Sequence, residues 1–279
     1  MLGLLSALDT NTMDKTRMKR GLLYIVIGNN SAREAILSLR SARRFHPSVS
    51  ACARHSHVTD IALRDTMRKI FTFNKRLNIT NVYPKKSLPI TCDRHRFMSM
   101  RAKSRMLLMS PFEETLFLDT DTYVNSKEFM IPFSYLNKHD LLCARAMGRK
   151  FHRYCSMMPK AVKDGLINKN IDHYGSGVVY FKKTERVRNL GLRWNKLWIK
   201  HRFQCPPDQM SFSLAIYRTG FTQNMEVLPL HYNTTVASYK ECGENSIIFH
   251  YQRPSYMMHF VKRCHLNRNK IINKILSGP

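Results

Sequence analysis

Glu114-Thr115-Leu116-Phe117-Leu118-Asp119-Thr120-Asp121-Thr122-Tyr123-Val124 couples a short apolar run to two aspartates one residue apart. The first five residues carry the pattern of a short buried strand. Two carboxylates at strand spacing point to the same face and repel one another unless a cation lies between them. A divalent metal removes that repulsion, and hard Mg²⁺ or Mn²⁺ suits oxygen ligands. Held there, such an ion would also neutralise a diphosphate and stabilise it as a leaving group. The competing reading is a pair of turn or helix-capping aspartates, because Asp-x-Asp by itself is a short pattern.

Upstream, Gly21–Ile27 is a continuous run of β-prone apolar residues that ends at Gly28-Asn29-Asn30, as in a fully buried strand. Ser31 is placed to cap a helix running to about Phe45. Ile36, Leu37 and Leu39 fall on its inner side and Arg33, Arg40, Arg43 and Arg44 on its outer side, with His46-Pro47 as the stop. A strand over Val49–Arg54 and a helix over Asp60–Phe73 follow, and a further helix over Arg94–Met109 leads into the acidic motif. Strand, helix and strand in alternation predict an α/β fold with a mostly parallel central sheet flanked by helices. In such open sheets ligands gather at the carboxyl ends of strands. Asn29 and Asp119 both lie at such ends, so one cleft is expected to hold both.

Downstream, Leu141–Ala144 and Val178–Phe181 read as strands, and residues 147–164 as a basic, Met-rich loop or helix. Arg186–Arg202 and Asp208–Tyr217 read as helices, the second opening after Pro206-Pro207. Ile247–Phe249 is a short strand that delivers His250. With no repeats or low-complexity linkers, residues 21–260 form a single domain between an N-terminal extension, 1–20, and a basic tail, 261–279.

Composition limits the function classes. The 279 residues include 46 Lys and Arg against 19 Asp and Glu, a net charge of +27. That field favours acidic partners or substrates. The basic residues are dispersed, as on a basic globular surface rather than a detachable nucleic-acid arm. No stretch approaches the ~18 consecutive apolar residues of a membrane span. Met1–Leu8 is apolar but short, which places the chain in the cytoplasm unless an N-terminal anchor has been removed. The seven Cys contain no Cys-x-x-Cys pair and read as reduced thiols.

The segment Arg101–Val124, with the features that continue to about Pro254, resembles the GT-A nucleotide-diphospho-sugar glycosyltransferases, closest to the glycogenin and galactosyltransferase-like group. That resemblance implies a Rossmann-like GT-A fold and a sugar moved from a UDP-sugar to a hydroxyl of a glycan or glycoprotein, with Mn²⁺ (or Mg²⁺) as cofactor. The activity would be that of a hexosyl- or pentosyltransferase. It implies donor contacts from Gly28, Asn29, Asn30, Lys103, Asp119 and Thr120. It places Ser176 and Gly177 beneath the sugar and makes Asp119, Asp121 and His250 the metal ligands. Asp208 and Gln209 match the pair that faces the transferred sugar. Asp208 is the first candidate for a general base and Asp172, beside His173, the second; a retaining transferase would need neither. Two departures stand out. The family's asparagine before Ser-Gly is Gly175 here, and its glycine-containing phosphate stretch is Tyr251-Gln252-Arg253-Pro254, where Arg253 is the phosphate-binding candidate. The long basic interval between Asp121 and Gly175 is where acceptor specificity is expected, and the charge reads as attraction to an acidic acceptor, a membrane surface or the donor phosphates.

Two other classes compete with this one. A nucleic-acid-binding protein would account for the charge, but no zinc-finger spacing or RNA-recognition aromatic signature is found. A nucleotidyltransferase also uses paired aspartates, usually with a further downstream carboxylate; this chain offers a late histidine instead.

Overall fold

Residues 22–27 alternate between two apolar layers in the computed structural model, which describes residues 19–77, 94–150, 171–201, 208–235 and 238–250. Leu23, Ile25 and Ile27 enter one core, and Leu22, Tyr24 and Val26 the other. A strand buried on both faces has no polar side, so β1 (Arg20–Ile27) reads as an unbroken apolar run.

The further strands are β2 (Ala51–Ser56), β3 (Phe73–Arg76), β4 (Glu114–Leu118), β5 (Thr122–Val124), β6 (Leu141–Lys150), β7 (Asp172–Lys182), β8 (Met225–Leu228), β9 (Thr234–Thr235) and β10 (Ile248–His250). Seven form the main sheet in the order β3-β2-β1-β4-β7-β6-β8. Its neighbours are parallel except where β7 runs antiparallel to both β4 and β6. The sheet is therefore mostly parallel, as the sequence predicts.

Helices α1 (Gly28–Arg43) and α2 (Ile61–Ile70) cover one face through Ala32, Ala35, Ile36, Leu39 and Met67. The other face carries α3 (Arg94–Lys103) and α4 (Met106–Met109). A short α5 (Pro132–Tyr135) adds Phe133 to the core that holds Leu22, Tyr24 and Val26. The second face is completed by α6 (Glu185–His201) and α7 (Asp208–Arg218), which bring Leu190, Trp194, Leu197 and Phe212. Trp194 stacks at a tilt on Phe212, ring centroids 4.6 Å apart, and its indole N–H donates to the Asp208 carbonyl at 3.1 Å. Truncating a buried Trp costs about 3–5 kcal/mol. Here the same side chain also fixes where α7 begins.

Strands β5, β10 and β9 form a second, three-stranded sheet on the rim. It is fastened to α1: the Val124 amide donates to Ser41 Oγ at 2.9 Å, and Ser38 Oγ lies 2.9 Å from Thr122 Oγ1.

Several local expectations change. The first helix starts at Gly28, directly off β1, with no side-chain cap; Gly28 makes that junction at φ 82°, and Ser31 lies inside the helix. Leu37 is 40 % exposed rather than inside, because the buried stripe runs through Ala35, Ile36 and Leu39. Asp60 caps α2 by accepting from the Leu63 amide, but the helix ends at Ile70, and residues 73–76 pair with β2 as an edge strand. The helix expected over Arg94–Met109 is split after Lys103. Residues 147–150 belong to β6; the rest of the expected 147–164 loop or helix lies outside the described residues, as do 1–18 and the basic tail. Cys52, Cys143 and Cys242 are buried free thiols. Among the described residues no helix is long and apolar enough to cross a membrane.

Candidate active site and metal centre

Asp119 is the first residue beyond β4. Its carbonyl accepts from the Thr122 amide at 3.2 Å and from Thr122 Oγ1 at 2.8 Å. The two aspartates thus lie in a tight turn between β4 and β5, not in the strand on which the same-face argument relied. They converge all the same, because His250 stands between them. Its Nε2 is 3.4 Å from Asp119 Oδ2 and 3.4 Å from Asp121 Oδ1.

His250 arrives through the second sheet, where β10 runs antiparallel to β5 with His250 opposite Thr122. On its other side, His250 Nδ1 lies 3.0 Å from Asn233 Oδ1. The ring packs closely against β7 at Gly177. A Cβ on that residue would stand 2.2 Å from His250 Cε1 and 2.8 Å from Asp119 Oδ2, so only glycine permits the approach. The Gly177 carbonyl also accepts from the Asp119 amide at 2.8 Å, which locks the turn to β7.

One donor atom from each of Asp119, Asp121 and His250 lies within 4.8 Å of the others. Two adjacent ligands on an octahedral ion with bonds of about 2.1 Å stand about 3 Å apart, close to the 3.4 Å separations here. Two carboxylate oxygens and one imidazole nitrogen suit Mn²⁺, which accepts both. The residues present fit a divalent ion.

Lys103 and Asp208 adjoin this group. Lys103 Nζ is 2.6 Å from Asp119 Oδ2 and 3.2 Å from Asp208 Oδ2, and Ser176 Oγ donates to Asp208 Oδ2 at 2.7 Å. Two carboxylates therefore share one lysine. Burial opposes the charge on Lys103, but Asp119 and Asp208 outweigh it and raise its pKa. Burial raises Asp119 above the usual carboxylate range, with Lys103 and His250 opposing. Burial acts the same way on Asp121, but there His250 prevails and the pKa falls. Burial alone would lower His250; Asp121 and Asp119 together raise it.

Two residues with no place in the sequence reading complete the surroundings. Glu34, on α1, accepts a 3.0 Å hydrogen bond from Thr120 Oγ1. Burial, with repulsion from Asp121 and Asp119, lifts its pKa to about 7. It is the one acidic side chain in a helix whose other charges are basic, a faint signal that the sequence did offer. Asn233 carried no signal. His173 is buried beside Ser213, and burial holds its pKa down at about 4.

The remaining candidates are placed as follows. Asn29 spends its amide on the loop before α2, bonding Thr59 and the Asp60 amide, and Asn30 accepts from Arg33. Thr120 is tied to Glu34. Gln209 sits half-buried in the first turn of α7. Asp172 starts β7 five residues before Gly177, about 17 Å along a strand at ~3.3 Å per residue, and is paired with Arg145 at 3.0 Å. It does not join the cluster. Arg253 lies outside the described residues.

No family model matches the sequence, and no curated protein matches it. Solved structures do match in fold. The galactosyltransferase LgtC, crystallised with donor and acceptor sugar analogues, superposes with a TM-score of 0.60 at 13 % identity, over 91 % of this chain and 94 % of that one. The bifunctional glycosyltransferase WbbM matches at 0.59 and 10 % identity, over 93 % of this chain and 51 % of its own. Core-mannan synthase A of Aspergillus fumigatus, in an Mn/GDP form, matches at 0.52 and 8 % identity, over 78 % and 74 %. The chain has the GT-A fold of nucleotide-sugar glycosyltransferases.

Proposed function

We propose that this protein is a metal-dependent glycosyltransferase that moves a sugar from a nucleotide-diphospho-sugar to a hydroxyl of a glycan or glycoprotein. The observation that carries the reading is the convergence of Asp119, Asp121 and His250 on a GT-A sheet, at the carboxyl end of β4, with Lys103 and Asp208 beside them.

Asp119, Asp121 and His250 would hold the ion, with Mn²⁺ favoured over Mg²⁺ by the imidazole ligand. When bound, it supplies Lewis-acid stabilisation of the departing diphosphate. The presence of manganese with a nucleoside diphosphate in the mannan synthase supports that assignment. Uridine as the nucleoside rests on the resemblance to the galactosyltransferase-like group.

The chain's own groups have distinct tasks. In the metal-free protein Lys103 keeps Asp119 and Asp208 from repelling each other. Lys103, beside the residues that would hold the ion, would be the cationic side chain to meet a donor phosphate. Asp208, held by Ser176, is oriented to accept a hydrogen bond from a sugar hydroxyl. Of the two base candidates only Asp208 lies in the cluster, so an inverting reaction would use it; Asp172 is committed to Arg145. An acidic acceptor fits the +27 charge. Arg76, Arg68 and Arg64 all act on His55, whose pKa is lowered by burial first and then by these three, which marks a concentration of positive charge along β2, β3 and α2.

Calorimetric titration with UDP, with and without Mn²⁺, tests the reading on the wild type and on Asp121→Ala. Mn²⁺-dependent binding that disappears in the variant is expected. A panel of UDP-sugars assayed for hydrolysis and transfer follows from it. Failure to bind UDP or GDP in the presence of metal would overturn the proposal.

A further inference from the structure

We infer that Asn233 is a positioning residue that makes His250 a metal ligand, and that Gly175 is glycine to leave room for it; the inference rests on the metal-centre reading above. An imidazole binds a metal through one nitrogen only when its proton sits on the other. Here Nε2 faces Asp119 and Asp121, so the proton must be held at Nδ1. The group standing at Nδ1 is Asn233 Oδ1, an acceptor, at 3.0 Å. Partners of this kind fix both the tautomer and the ring orientation of a ligating histidine.

The backbone places the two residues together. Asn233 ends the 3₁₀ turn Leu230–Asn233 and leads directly into β9. β9 runs parallel to β10 and pairs Thr235 with His250. One small sheet therefore carries the ligand and its partner, while β5 of the same sheet follows directly on Asp121.

Asn233 is buried, at 6 % exposure, and its amide nitrogen occupies the space a side chain at position 175 would need. A Cβ on Gly175 would lie 2.5 Å from Asn233 Nδ2 and 3.4 Å from the Ala144 carbonyl. Backbone stands on one side, so the asparagine must be the group that yields. Gly175 is also the position at which this chain departs from the asparagine of the family it resembles. The polar group absent from β7 is thus replaced, in space, by one from the turn before β9, now directed at the histidine.

The test is titration of Mn²⁺ in the presence of UDP into the full chain. It compares wild type, Asn233→Ala, Asn233→Asp, Gly175→Ala and the Gly175→Ala/Asn233→Ala double variant, each checked for cooperative melting. Asn233→Ala should bind Mn²⁺ about 10- to 100-fold more weakly. Asn233→Asp, which keeps the acceptor, should stay within a few-fold of wild type. Gly175→Ala should also weaken binding, and the double variant should be no weaker than Asn233→Ala, because both changes act through one contact. Wild-type affinity in Asn233→Ala, loss in Asn233→Asp equal to that in Asn233→Ala, or losses that add in the double variant would each overturn the inference while leaving the metal centre intact. Absence of Mn²⁺ binding in the wild type removes the metal reading and this inference with it. Should Asn233→Ala not fold, Asn233→Asp and Gly175→Ala decide the matter: the first must bind like wild type and the second more weakly.

Discussion

The Cα of Gly177 presses against the imidazole of His250, so that a single added methyl would overlap Cε1 at 2.2 Å. The strand that supports the sheet and the histidine that reaches the aspartates meet there without a side chain between them. Gly177→Ala should therefore displace His250 from Asp119 and Asp121. We expect at least about tenfold weaker Mn²⁺-dependent UDP binding and a stability loss of about 1–3 kcal/mol from overpacking, read by calorimetry and thermal melting.

Removing the lysine between the carboxylates should reveal how much repulsion it restrains. Lys103→Met leaves Asp119 and Asp208 buried without their cation. The loss of one partner from a buried pair costs about 3–5 kcal/mol. Added Mn²⁺ restores positive charge near Asp119, so its stabilising shift in Tm should be larger in the variant than in the wild type. Equal shifts would show that Lys103 and the metal act on separate groups.

Glu34 should weigh on the fold at neutral pH. Its pKa is raised from 4.5 to about 7, by burial first and by Asp121 and Asp119 next. A folded-state pKa above the unfolded one means stability present below about 4.5 is lost as pH rises through about 7. Glu34→Gln should match the wild type near pH 4.5 and gain on it up to pH 7, by about 1–2 kcal/mol after allowance for the partial exposure of the site. Melting curves across that range, without metal, provide the check. A gain already complete at the acid end would place the effect elsewhere.

Metal affinity should rise with pH. Asp121 and Asp119, acting against burial, raise His250 above the ordinary 6.5, so near that pH the folded protein holds a proton at Nε2. Mn²⁺ must displace that proton. Apparent affinity should increase about tenfold per pH unit below the folded-state pKa of His250 and level off above it. Titrations between about pH 6 and pH 8.5 would record this slope; a flat profile would exclude His250 as a ligand that loses a proton on binding.

Much of the framework is legible in the chain itself. β1 announces itself as a run without polar interruption because both its faces are buried. The apolar stretch ending in Asp119-Thr120-Asp121 shows where a strand delivers carboxylates, and the helix expected from Asp60 does begin there, capped by the Asp60 side chain. Local periodicity reports burial, and burial was enough to predict a mostly parallel α/β sheet.

Other features depended on partners distant in sequence. β3 and β5 are too short to show a period, and they are strands because β2 and β10 supply their hydrogen bonds. The family resemblance names His250, but its approach to Asp121 requires β10 to lie against β5, and its Nδ1 partner comes from a turn with no pattern of its own. Glu34 owes its raised pKa to burial first, and then to carboxylates more than eighty residues away. Sequence alone determined which segments must be buried and which strand end carries the acidic pair, because side-chain hydrophobicity acts locally along the chain. Only the tertiary structure decided which charges share a site, because Coulomb and hydrogen-bond energies depend on distance in space.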